Sequence, residues 1–309
     1  MPLHLWRKAG SYLVSHCNKT SITIEVAAQE IGAALLSDAE HLLDHASEHR
    51  ASLHQLISEA SWCSPAWSVV TAYYWAFFSG LAITRIVGRS VWFLDRTAVS
   101  EFRTLASATD QPGAGALSLS VGPQVTMTSR SVTLRPTKSQ MHDAVWAKVH
   151  ALTVDVCNAV NQDGNPDEYR FWWCLAELGK RLGPDWASKV RNAVNYRPGF
   201  GYREVISDSQ IEIGRLRRLD SFTSGLFLDE IEGSVLHLPL RGGLGDNLGL
   251  DTKLLMLYAT ALCVVSSQLH ADVIGRQQCD PRWQKLRGRF IVQHCSSESG
   301  ALWPFSASL

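Results

Sequence analysis

Apolar residues recur at helical spacing along most of the chain. From Val26 to about Ile57, the residues Ile31, Leu35, Leu42, Ala46, Leu53 and Leu56 fall on one broad side of a predicted helix. Ser64-Pro65 opens a second helix that runs to about Val87, with Gly88 as its stop. Trp67, Tyr73, Tyr74, Trp75, Phe77 and Phe78 surround that helix with aromatics, and a helix apolar on every side belongs inside a core. A short helix is expected over 91–106. Helices resume from Ser139 to about Asn161 and over 169–181. In the next one, 185–197, Trp186, Val190 and Val194 share a side, and Pro198-Gly199 ends the run. A long apolar helix begins at Asp251-Thr252 and reaches about His270.

Between 110 and 136 the period shifts to two. Leu117, Leu119 and Val121 alternate with serines, Val125 and Met127 with threonines, and Val132 and Leu134 follow. Gly113 and Gly115 break helix, and Gly122-Pro123 and Ser129-Arg130 are turn signals. Val235, Leu236, Leu238 and Leu240 suggest one more short strand. The glycine-rich 241–249 matches neither a Walker A loop nor a Rossmann fingerprint and reads as a loop. Residues 1–25 and the tail after Arg289 have no clear pattern. The fold class expected is mainly α, a multi-helix bundle with a small β hairpin or meander at 110–136. It forms either a single helical domain over 1–309 or two tightly packed helical halves.

Composition narrows the function classes. The 309 residues are 46% hydrophobic and 19% charged, as a folded globular chain requires. Net charge is zero, so no global field draws the chain to nucleic acid or anionic lipid, and such binding must use local patches. Seven cysteines stand at 17, 63, 157, 174, 263, 279 and 295, with no Cys-x-x-Cys pair. That argues against a zinc ribbon and a disulfide framework, and for reduced, mostly buried thiols in the cytoplasm. Residues 1–17 lack the apolar core of a secretory leader. The stretch 66–83 approaches the length of a membrane span, but Arg85 and Arg89 follow at once, and 254–265 is shorter. Both are expected as buried helices of a soluble domain, with no membrane partner.

Candidate chemistry is scattered. His41, His45 and His49 follow each other at metal-gripping spacing, with Asp38, Asp44 and Glu48 between them. The glutamate of a zinc-protease helix is missing after the first histidine, so the group reads as the wet side of an amphipathic helix. Neither a metal nor a cofactor is expected. His142-Asp143 with His150, and His270 with Asp272, resemble parts of acid–base pairs, without a Gly-x-Ser-x-Gly elbow. Cys279 and Cys295 near His294 lack an activating context.

The richest stretch is 185–203. Arg191 and Asn195, four apart, project from one helical face, with Asn192 and Tyr196 beside them. Lys180, Arg181, Lys189, Arg191, Arg197 and Arg203 crowd this region, and Tyr196, Phe200 and Tyr202 are interleaved. Such a mixture suits single-stranded RNA, with Lys189, Asn195, Arg197, Tyr202 and Arg203 as binding residues. The bland alternative is a helix end whose Arg and Asn satisfy backbone carbonyls, on a charged surface with Asp185 and Glu204 as ion-pair partners.

Two stretches together carry a resemblance. Trp67-Ser-Val-Val-Thr-Ala-Tyr-Tyr-Trp-Ala-Phe-Phe-Ser-Gly resembles an early helix of HEPN-type domains. Arg191-Asn192-Ala-Val-Asn195-Tyr196 resembles that superfamily's later motif, in which an Arg and a polar residue precede a His. The resemblance implies a HEPN-like bundle and a metal-independent ribonuclease of toxin–antitoxin or phage-defence systems, with its site completed by dimerisation. By that implication Arg191 binds the scissile phosphate, Asn192 holds Arg191 or the phosphate, and Tyr196 occupies the acid–base position. A phenol in place of imidazole is a weak base at neutral pH. The resemblance therefore equally implies a non-catalytic subunit that binds RNA or a protein partner. It also implies a homo-oligomer or a protein complex.

Overall fold

The computed structural model describes residues 1–58, 65–160, 162–196, 224–238 and 248–276. In order these form α1 (Leu3–Ala9), β1 (Tyr12–Cys17), β2 (Ile22–Ala27), α2 (Ala28–Ser58) and α3 (Pro65–Ile86). Then come β3 (Arg89–Leu94), α4 (Arg96–Leu105), β4 (Gly115–Gln124), β5 (Ser129–Pro136) and α5 (Met141–Ala159). The remainder is α6 (Pro166–Leu182), α7 (Trp186–Tyr196), α8 (Ser224–Leu236) and α9 (Leu248–Arg276), the last two numbered in the order described. The chain divides into two compact units, one of Met1–Leu42 with Gly80–Val149, the other of Leu43–Ser79 with His150–Leu309.

The first unit corrects the expected fold class. The strands at 115–136 are not a small insertion in a helical bundle. They are two members of a five-stranded antiparallel sheet of order β1-β2-β5-β4-β3, so the protein is mixed α/β. Ile22, Ile24 and Val26 alternate inward on β2 and pair across β5 with Leu134, Val132 and Arg130. Leu117 and Leu119 of β4 and Trp92 and Leu94 of β3 extend the same apolar face. Leu3 and Trp6 of α1 and Val99 and Phe102 of α4 complete this core. The helix expected over 91–106 is in fact β3 followed by α4, whose start is capped by Asp95 accepting from Ala98 N–H at 2.7 Å. Gly88, at φ +69, turns the chain from α3 into β3. A Cβ there would stand 3.0 Å from Val121 Cγ2.

Asp38 and Arg85 tie helices to this sheet. Asp38 Oδ1 accepts Leu3 N–H at 3.0 Å, and its Oδ2 lies 3.3 Å from Arg85 Nε. Arg85 in turn donates to the Ser90 hydroxyl and, at 3.0 Å, to the Val91 carbonyl. Asp38 is therefore a structural anion, not part of a wet helix face.

The second unit is helical among its described residues. α6 packs on α8, and α9 packs on both α8 and α7. Arg170 binds Asp229 at 3.0 Å and also binds Glu232, both on α8, while Lys253 of α9 pairs with Glu230. Arg181 donates to the Val235 and Leu238 carbonyls, each at 3.2 Å, and so closes the end of α8. Val235 and Leu236 thus belong to a helix, not to the expected strand, and Leu240 lies outside the described residues. Leu248 and Gly249 begin α9 rather than ending a loop, and 241–247 lie outside the described residues. Ala66–Ile86 and Thr252–Arg276 have the length and composition of membrane spans, but both are 72% buried, as core helices are.

Candidate functional site

α7 is amphipathic at its own period. Trp186, Val190, Ala193 and Val194 are buried, and the Trp186 ring meets Tyr258 of α9 at 5.4 Å. Lys189, Asn192, Asn195 and Tyr196 face outward, with Tyr196 69% exposed. Ser188, itself buried, and Arg191, half-buried, both turn to Tyr73 of α3. The Tyr73 hydroxyl and Ser188 Oγ share a hydrogen bond of 3.1 Å. The Arg191 guanidinium carbon stands 5.0 Å from the centre of the Tyr73 ring. One phenol therefore holds α7 twice, by its hydroxyl and by its face.

Among the described residues, Arg191 is held by the ring alone. Its Nε is buried with no hydrogen-bond partner, and no ion pair to it exists among the described residues. A cation over an aromatic face is stabilised by about 1 kcal/mol, and the Nε donor is left unspent beside it. A planar guanidinium donates in a fork that phosphate or carboxylate oxygens accept.

The structure brings the two motifs together through Tyr73, Ser188 and Arg191. Other expected contributors behave differently. Lys189 turns back on its own helix and pairs with Asp185 at 2.8 Å. Lys180 and Arg181 both bind Glu177, at 2.7 and 3.0 Å, so this part of the basic cluster is structural. Asn192, Asn195 and Tyr196 line the exposed side of α7. Arg197, Phe200, Tyr202, Arg203 and Glu204 lie outside the described residues. Sequence reasoning missed Ser188, although its place three residues before Arg191 sets it on the same face.

The remaining candidates resolve into packing. His49 stacks on both Tyr74 and Phe78, at 5.4 and 5.5 Å, and burial and the charge of His45 hold its imidazole below the ordinary value against the opposing pull of Glu48. His45 also meets Phe78 and lies 3.4 Å from Glu48, so two of the three helix histidines pack on aromatic rings. No group of three metal-ligating side chains exists among the described residues. His150 packs on the backbone of Gly179. Its Nδ1 is buried without a hydrogen-bond partner, and burial lowers its pKa. Asp272 accepts from Gln268, and His270 is buried. Cys17, Cys157, Cys174 and Cys263 are in no disulfide, and burial pushes Cys174 up to about 12, which makes it a poor nucleophile. Cys279, His294 and Cys295 lie outside the described residues.

Fold and site define a mixed α/β protein that presents one arginine, seated on a tyrosine ring, along an exposed polar helix side. No protein-family model matches the chain, and neither curated proteins nor solved structures give a match.

Proposed function

We propose that the chain binds RNA through Arg191 as a non-catalytic subunit of a bacterial defence or toxin–antitoxin type assembly in the cytoplasm, self-associated or bound to a protein partner. The observation that carries this reading is the guanidinium on Tyr73, with its Nε unpartnered and no carboxylate on it among the described residues. Asn192, Asn195 and Tyr196 extend an open polar strip beside it. The residue resemblance to HEPN motifs supports the choice of RNA over other phosphate ligands.

A second reading, a metal-independent ribonuclease, is favoured by the exposure of Tyr196 at the motif's acid–base position. The same experiment separates the two. Wild type should bind RNA without cutting it, and Arg191→Ala should weaken binding about tenfold or more with the fold intact. Cleavage that persists in EDTA, yields cyclic phosphate ends and falls about 100-fold in Arg191→Ala would favour the enzyme. On the subunit reading, Tyr196→His produces no cleavage. Binding and cleavage both untouched by Arg191→Ala would remove the site from this helix.

A further inference from the structure

The sheet of the first unit has a second face, away from the apolar core. Its register sets Arg89 of β3 opposite Ser120 of β4, and Ser118 of β4 opposite Arg135 of β5. Directly opposed residues on antiparallel strands project to the same side, so these four share a face. Ser120 also opposes Thr133, which continues the row. Burial follows the alternation on β4 and β5, whereas on β3 Val91, on the same side as Arg89 and Phe93, is fully buried. Leu117, Leu119 and Leu134 are buried, Ser118, Ser120 and Thr133 are partly open, and Arg89 and Arg135 are exposed. Phe93 stands on the same side of β3 as Arg89 and is 62% exposed.

α5 brings a third cation to this face. Burial lowers the Lys148 pKa, and the charges of Arg89 and Arg135 lower it further, so both guanidiniums lie close enough to act on the ammonium. The strongest charged neighbours of this half-buried lysine are therefore both positive. Neither Lys148 nor Arg135 has an ion pair among the described residues. Glu25, the carboxylate that the described strands place on this face, lies opposite Ser131, with β5 and β4 between it and β3. Gathering like charges around a half-buried ammonium destabilises the empty protein, and an anion reverses the sign of that contribution. Hydroxyls beside the cations supply further donors for phosphate oxygens, and an exposed ring gives a base a surface to stack on.

We propose that this sheet face, with Arg89, Arg135, Lys148 and Phe93, binds single-stranded RNA, the cations on its backbone and Phe93 against a base. The two large exposed apolar residues on this side, Phe93 on β3 and Leu13 on β1, stand at opposite edges of the sheet, so they do not form the broad apolar patch that a protein partner would require. The surface belongs to a different unit from Arg191 and stands without the reading given for that site.

The test is fluorescence anisotropy of a short labelled single-stranded RNA titrated with the full chain over a series of salt concentrations. At about 50 mM salt, the double variant R135Q/K148Q should bind at least tenfold more weakly, and its salt slope should fall by about 1.4, at roughly 0.7 for each phosphate no longer neutralised. Phe93→Ala should lose about fivefold without a change of slope, because stacking releases no counterions. The charge-preserving R135K/K148R pair should keep wild-type affinity, which guards against a fold defect. Unchanged affinity and slope in R135Q/K148Q, or a wild type that binds no RNA, would overturn the proposal. Loss in Arg191→Ala with the sheet variants intact would also overturn it and leave the Arg191 site standing. Loss confined to the sheet variants would support it and remove the Arg191 site.

Discussion

Arg85 is the residue whose role departs furthest from its local pattern. In the sequence it is a charge flanking an apolar helix, as at the end of a membrane span. In the structure its side chain is 6% exposed against 20% for Asp38, and the pair reaches the Leu3 amide and the Val91 carbonyl. Nothing within α3 reveals this, because every partner is distant in the chain or lies beyond the Gly88 turn. Arg191 was only half legible for the same reason. Its helix face and polar neighbours follow from spacing, but the Tyr73 ring beneath it comes from another helix. Removing Arg85 strands the Asp38 carboxylate in a nearly dry site, and uncompensated buried charge of this kind costs roughly 3 kcal/mol. Urea unfolding of Arg85→Ala should show a loss of that order. A loss below about 1 kcal/mol would mean the pair behaves as a surface ion pair.

At the level of elements, long helices were legible and short strands were not. α2, α3, α5, α6, α7 and α9 carry enough turns for the 3.6 period to stand out. β3 is a run of Val-Trp-Phe-Leu, and so short an apolar run fits helix as well as strand. It is a strand because β4 pairs with it, a contact absent from local sequence. β2 alternates cleanly, Ile22, Ile24 and Val26 inward, but runs straight into α2 with no breaker to mark the change. α8 misleads in the other direction, since Val235, Leu236 and Leu238 at a helix end imitate alternation. Asp95 marks the boundary between two elements that one apolar pattern runs across, ending β3 and capping α4. Asp95→Ala should cost about 1 kcal/mol in thermal or urea unfolding, the usual value of an N-cap hydrogen bond. Asp95→Asn, which keeps the acceptor, should recover most of it.

At the scale of the whole molecule, His49, His150 and Glu177 point one way on the acid side of neutrality. His49 and His150 are both held below the ordinary imidazole value of 6.5, so the unfolded chain binds more protons than the folded one near that pH. Burial raises the Glu177 carboxyl, but hydrogen bonds from Lys180 and Arg181 more than offset it and leave it below its ordinary value of 4.5. A depressed pKa contributes stability that is present above the unfolded value and lost as pH falls. The melting temperature should therefore hold at neutral pH and decline in two stages on acidification, first below about 6.5 and again below about 4.5. His49→Asn or His150→Asn should flatten the first stage when melts are compared across that range, whatever each change does at neutral pH. A first stage that survives in both variants would place the proton uptake elsewhere.

The contact between His150 and Gly179 also constrains how this chain can vary. A Cβ at 179 would fall 2.2 Å from His150 Nδ1, inside the imidazole ring's own space. Position 179 is not free to gain a side chain while His150 stays in place. In a library randomised at both sites and screened for folded protein, any side chain at 179 should be recovered together with a much smaller residue at 150, and glycine should be recovered wherever histidine remains.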